Sequence, residues 1–207
     1  MNTLVKRPII IYAESTPNPS SMKFVADRLL IENGATAQYL SKAETKDAPL
    51  ATKLFEFPFV KAVFMAANFV TVNKTDAVQW EDITLELRDF IRTYIADGNV
   101  IISELPKTEV AVDNTFTETK EVFTEHKAPA NEIEVKIIEV LEQYIRPAVE
   151  GDGGNITFKN YADGIVTVQL RGACSGCPSS TITLKAGIEA MLKKMVPGVT
   201  EVVSEAV

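Results

Sequence analysis

With 207 residues, 46% of them hydrophobic and 24% charged, the chain has a globular composition, sufficient for one large domain or two small ones and incompatible with wholesale disorder. Its net charge of −7 opposes non-specific binding to nucleic acid, which needs basic surface against phosphate, and opposes adsorption to anionic lipid. The longest apolar candidate, Phe57 to Val70, is interrupted by Pro58, Lys61 and Asn68, so neither a bilayer-spanning segment nor a nucleic-acid partner is expected.

Lys6 and Arg7 are not followed by an apolar signal core of adequate length, and the region is not rich in Arg and Ser. No targeting segment is read there, so the expected compartment is cytoplasmic. In such a reducing environment a close cysteine pair reads as metal-binding or redox-active rather than as a structural disulfide.

The region 1–98 mixes strands and helices. Ile9 to Tyr12 is a short apolar run that ends at the turn signal Pro17-Asn18-Pro19, and Met22–Val25 and Thr36–Leu40 read as further strands. Ala48–Phe55 reads as a short helix. Val60–Ala66 and Phe69–Val72 form a hairpin about Ala67-Asn68. Ile83, Leu87, Phe90, Ile91, Tyr94 and Ile95 recur at helical spacing, with Trp80 packed at the start of that helix and Gly98 stopping it.

Residues 99–129 change character. Glu, Thr and Lys dominate, and few large apolar groups follow Leu105, which predicts a mobile tether with His126 as a solvated residue within it. Val100-Ile101-Ile102 is the exception, an apolar patch able to dock on the first domain.

The region 130–207 opens with Asn131 as a helix cap and Glu134 three residues on. Ile137, Ile138, Leu141, Tyr144 and Ile145 share a helical face, and Pro147 ends or kinks the helix. Gly151-Asp152-Gly153-Gly154 is a loop. Two strands, Ile156–Tyr161 and Ile165–Leu170, meet at the hairpin signal Asp163-Gly164. A cysteine loop follows, then a helix from Pro178 with Leu184, Ile188, Met191, Leu192 and Met195 on its buried stripe. Val199–Val203 is a last strand. The order is α-β-β-α-β, and the fold class is α+β, two small sheet-and-helix domains on a linker.

Gly172-Ala173-Cys174-Ser175-Gly176-Cys177-Pro178 is the chemical centre. Two intervening residues let both sulfurs face one metal centre. Thiolate is the ligating form, and the N-terminus of the following helix offers positive potential to favour it. Single zinc wants four ligands, whereas the chain holds two cysteines and one histidine. A thiol–disulfide oxidoreductase also uses C-x-x-C, but places it early in its fold; here thirty residues follow Cys177. Iron–sulfur clusters are commonly held by four thiolates. One chain supplies half of that set, so two chains are able to share one cluster.

From Ile145-Arg146-Pro147 through Gly151-Asp152-Gly153-Gly154, Gly164-Ile165-Val166, Gly172 to Ser180, Thr183-Leu184 and Gly187-Ile188, the order and spacing resemble the NifU C-terminal domain of the Nfu family of iron–sulfur carriers. Thr16-Pro17-Asn18-Pro19, Met22-Lys23-Phe24, Leu54-Phe55 and Phe59 to Phe64 resemble the Nfu N-terminal domain. The resemblance implies a non-catalytic scaffold or carrier. It implies a [4Fe-4S] cluster, or a smaller [2Fe-2S] one, held by Cys174 and Cys177 of each chain of a homodimer. Assembly machinery would donate the cluster and apo iron–sulfur proteins would accept it. Asp152, Gly153 and Gly154 either line this site or simply turn the chain from helix to strand. Arg146 is a surface charge or one that faces an acceptor.

Overall fold

The structure, a computed structural model, describes residues 8–32, 34–104, 126–175 and 178–206, without the side chains of 178–181 and 206. The chain divides into two compact units, 1–106 and 107–207. The predicted mobile tether lies, between 105 and 125, outside the described residues.

The first unit is a five-stranded antiparallel sheet. Its strands are β1 (Ile11–Ser15), β2 (Ser21–Ala26), β3 (Thr36–Tyr39), β4 (Val60–Ala66) and β5 (Phe69–Lys74), in spatial order β1-β2-β5-β4-β3. Helices α1 (Pro49–Leu54) and α2 (Trp80–Ala96) supply Leu50, Leu54, Ile83, Leu87 and Ile91 to one core with Phe24, Val63, Met65, Val70 and Val72. The alternate strand residues Val25, Phe64, Ala66 and Phe69 form a separate cluster, as the two-residue period of a strand requires. Ala67, in the left-handed region at φ 38°, and Asn68 make the hairpin turn between β4 and β5.

The Thr-Pro-Asn-Pro turn is a structural knot. Asn18 N donates to Thr16 Oγ1 at 3.2 Å and Ser20 N to Asn18 Oδ1 at 3.0 Å, while Trp80 Nε1 donates to the Pro19 carbonyl at 2.9 Å. Val100–Ser103 docks on this unit. Leu50 N donates to the Ile101 carbonyl at 3.3 Å, Ser103 N to the Asp47 carbonyl at 2.8 Å, and Tyr94 OH to the Val100 carbonyl at 2.9 Å.

The second unit carries the α-β-β-α-β order. Helix α3 (Glu132–Val140) is capped by Asn131, whose Oδ1 accepts from Glu134 N at 2.9 Å. Glu134 reaches back to Ala130 N at 2.6 Å, one residue beyond the capping-box donor. The helix does not stop at Pro147. It widens into a π turn over Leu141–Ile145 and resumes as α4 (Arg146–Gly151) with Pro147 in its first turn. A proline has no N–H to offer the carbonyl one turn back, and a π turn is one way a helix absorbs that defect.

Strands β6 (Gly154–Ala162) and β7 (Ile165–Gly172) are antiparallel about Asp163-Gly164, at φ 51° and 82°, the two left-handed residues that a tight hairpin turn demands. From β7 the chain returns through α5 (Pro178–Met195) to β8 (Glu201–Ala206), parallel to β7, because parallel neighbours need a long crossover. Ile137, Leu141, Ile145, Ile156, Phe158, Val168, Ile188 and Leu192 form the core, with Met191 and Met195 packed against it.

Candidate metal centre

The cysteine loop starts where β7 ends. Gly172 takes φ 69°, a left-handed angle suited to glycine, and its carbonyl accepts both Ser175 N, at 3.2 Å, and Ser175 Oγ, at 2.9 Å. Ala173 N donates to the Gly153 carbonyl at 3.1 Å. That bond clasps the cysteine loop to the segment Asp152-Gly153-Gly154, which itself is tied to α4 through Asp152 N and Ala148 O at 3.0 Å. This glycine segment turns the chain from helix to strand, and Gly154 lies against the Cys174 sulfur. A Cβ on Gly154 would lie 2.7 Å from Cys174 Sγ and 2.5 Å from the Arg171 carbonyl oxygen.

Cys174 is 5% exposed and belongs to the apolar core of its unit. Burial, and after it the Asp152 carboxylate, push its thiol up to about 12. At Cys174 burial and the Asp152 carboxylate thus oppose the thiolate that this loop is expected to favour. Gly176 and Cys177 lie outside the described residues. Among the described residues, no group of three or more His, Cys, Asp and Glu side chains is placed to hold a metal ion.

One polar cluster escaped the sequence reading. His126, expected as a solvated tether residue, is 6% exposed. Its Nδ1 accepts from Phe158 N at 2.7 Å, which assigns the remaining ring proton to Nε2, and Nε2 bonds Glu142 Oε1. Arg146 Nη2 pairs with the same Glu142 oxygen at 2.6 Å and donates to the Ile156 carbonyl at 3.4 Å. Arg146 is thus neither a free surface charge nor a group turned outward. Burial tends to raise the Glu142 carboxyl, but the hydrogen bond from His126 and the Arg146 charge prevail and hold it below the usual value. Beside His126, Lys127 N donates to the Phe158 carbonyl at 3.0 Å, so these two residues cover the edge of β6. The i, i+4 spacing of Glu142 and Arg146 was the one available signal; nothing local to His126 announced its destination.

The family description "Scaffold protein Nfu/NifU N terminal" matches residues 11–98, and "NifU-like domain" matches 137–203. The mitochondrial "NFU1 iron-sulfur cluster scaffold homolog" of Drosophila willistoni is 36% identical over 197 residues, covering 95% of this chain and 64% of that protein. Its namesake in Drosophila persimilis is 34% identical, covering 98% of this chain and 67% of that protein.

The chain belongs to the NifU/Nfu family.

A solved NifU-like protein of Saccharomyces cerevisiae is 27% identical, with a TM-score of 0.43 over 50% of this chain and 91% of that one. The chain spans 64% of the length of the Drosophila willistoni relative. The cytoplasmic expectation is corrected by these relatives, which are named as mitochondrial. It rested on reading no targeting segment near Lys6 and Arg7, and that reading does not specify a compartment.

Proposed function

We propose that this Nfu-family chain is an iron–sulfur cluster scaffold that receives a cluster as cargo and passes it to apoproteins. Cys174 and Cys177 are its ligands, two such chains share one [4Fe-4S] cluster, and residues 130–207 form the cluster domain, joined to a first domain, 1–98, by 99–129. The observation that carries this reading is the seating of Cys174 in a glycine-rich strand-to-helix turn, with Gly154 giving its sulfur room. The names of the relatives support a scaffold role. A carrier must retain its cluster and yet release it. A site split between two chains permits both, since separating the chains removes half the thiolates.

The alternative is a thiol–disulfide oxidoreductase on the same cysteines. That chemistry places C-x-x-C early in its fold, whereas thirty residues follow Cys177. The test is anaerobic reconstitution of the full chain with iron and sulfide. Broad visible absorption is expected, lost in Cys174→Ser and in Cys177→Ser, with little catalytic reduction of protein disulfides. Efficient repeated disulfide reduction without cluster uptake would reverse the assignment.

A further inference from the structure

The single histidine of the chain stands where a sheet would ordinarily place a backbone carbonyl. β6 pairs with β7 and is an edge strand of its sheet. At that edge both polar groups of Phe158 are taken. Its N–H donates to His126 Nδ1 at 2.7 Å, and its carbonyl accepts from Lys127 N at 3.0 Å. The imidazole is buried and held from behind. Its Nε2 donates to Glu142 Oε1 of the π turn, and Arg146 Nη2 of α4 stands 3.2 Å from the same nitrogen.

We propose that His126 is a proton-operated latch, which fastens the chain ahead of α3 to the edge of β6 while the ring is neutral and lets go when the ring takes a second proton. Nδ1 accepts the Phe158 N–H through its one lone pair. A doubly protonated ring carries N–H on both nitrogens and has no acceptor left. Two donors would then face each other, so the bond to Phe158 must break as the proton binds. The charged groups at the ring pull in opposite directions. The Glu142 carboxylate favours the imidazolium and the Arg146 guanidinium opposes it, while the Lys127 ammonium turns to Asn160 Oδ1 at 3.4 Å. Glu142 keeps its charge through mild acid, since its carboxyl is held below the usual value. Release loosens residues 126–130, which lead to the Asn131 cap, and uncovers a backbone N–H on an edge strand, where another strand is able to pair. β6 stays paired with β7, and opening is a local event. The latch is independent of the cysteines and of the scaffold reading.

The experiment is an NMR titration of the isotope-labelled full chain from about pH 8 to about pH 5, above the ordinary range of a Glu carboxyl at about 4.3. With one histidine in the chain, the ring signals belong to His126 alone. The Phe158 amide signal is expected to leave its bonded position with the same midpoint as ring protonation, while the Val168 amide in the same sheet stays in place. His126→Asn is the companion variant. Its side-chain oxygen reaches the place of Nδ1 and takes up no proton. Whether that variant keeps the Phe158 amide bonded or frees it throughout, the signal is expected not to change across the same pH range. A Phe158 amide that stays bonded while the ring becomes doubly protonated would overturn the latch. So would a ring that stays singly protonated down to about pH 5, a pH response that survives in His126→Asn, or a Val168 amide that moves together with Phe158.

Discussion

Replacing one hydrogen of Gly154 by a methyl group would put carbon 2.5 Å from the Arg171 carbonyl oxygen and 2.7 Å from the Cys174 sulfur. The first contact is with backbone in the paired strand, so the sheet itself must shift. Gly154→Ala should therefore destabilise the second unit by about 1–3 kcal/mol, the usual cost of overpacking, and expel the Cys174 side chain; urea unfolding of the full chain measures the first effect. His126→Ala strips a partner from the Phe158 N–H and from Glu142 at once. Leaving buried polar groups unpaired costs about 1–3 kcal/mol, and hydrogen exchange at the Phe158 amide should quicken with it. Unchanged exchange there would mean that the imidazole is not holding the strand edge. Glu142 adds a pH dependence. A carboxyl held below its unfolded value contributes stability above that value, about 4.3, and loses it as pH falls through the lower folded value. Stability of the wild-type chain should fall on acidification below about pH 4.3, and Glu142→Gln should shrink that acid loss.

Among the elements, those with local causes were legible in the sequence. Asp163-Gly164 predicts a two-residue hairpin, and both residues adopt positive φ. Asn131 predicts a helix start, and its side chain caps Glu134 N. Asn131→Ala should cost about 1 kcal/mol, read as faster amide exchange in the first turn of α3; no change would show that Glu134 alone secures the terminus. What the sequence concealed were features settled by long-range contact. Pro147 announced a defect, but its resolution as a π turn places Glu142 between His126, sixteen residues earlier, and Arg146, four later. No periodicity encodes that meeting. The burial of Cys174 was hidden for the same reason, since the C-x-x-C spacing says that two sulfurs are near each other and nothing about how far one of them sinks into the core. Composition likewise placed His126 in a polar tether, while its ring is claimed by a strand edge.

At the scale of the whole molecule, the bonds of His126 and Lys127 to β6 carry the ordered packing of the second unit a few residues upstream of Asn131. A C-terminal fragment that begins before His126 should be more stable than one beginning at Pro129 by about 1–3 kcal/mol, and both should take up a cluster if the first domain serves acceptor choice rather than ligation. Equal stability of the two fragments would reduce the His126 contacts to an incidental packing.

In the proposed scaffold each chain gives half of the ligands to a shared cluster. The chain has only two cysteines, so the most direct measurement is light scattering on the anaerobically loaded full chain, with iron and sulfide assayed in the same sample. A dimer carrying about two iron and two sulfide per chain is expected, reverting toward monomer when the cluster is removed by chelation. A monomer that keeps about four iron per chain would contradict it.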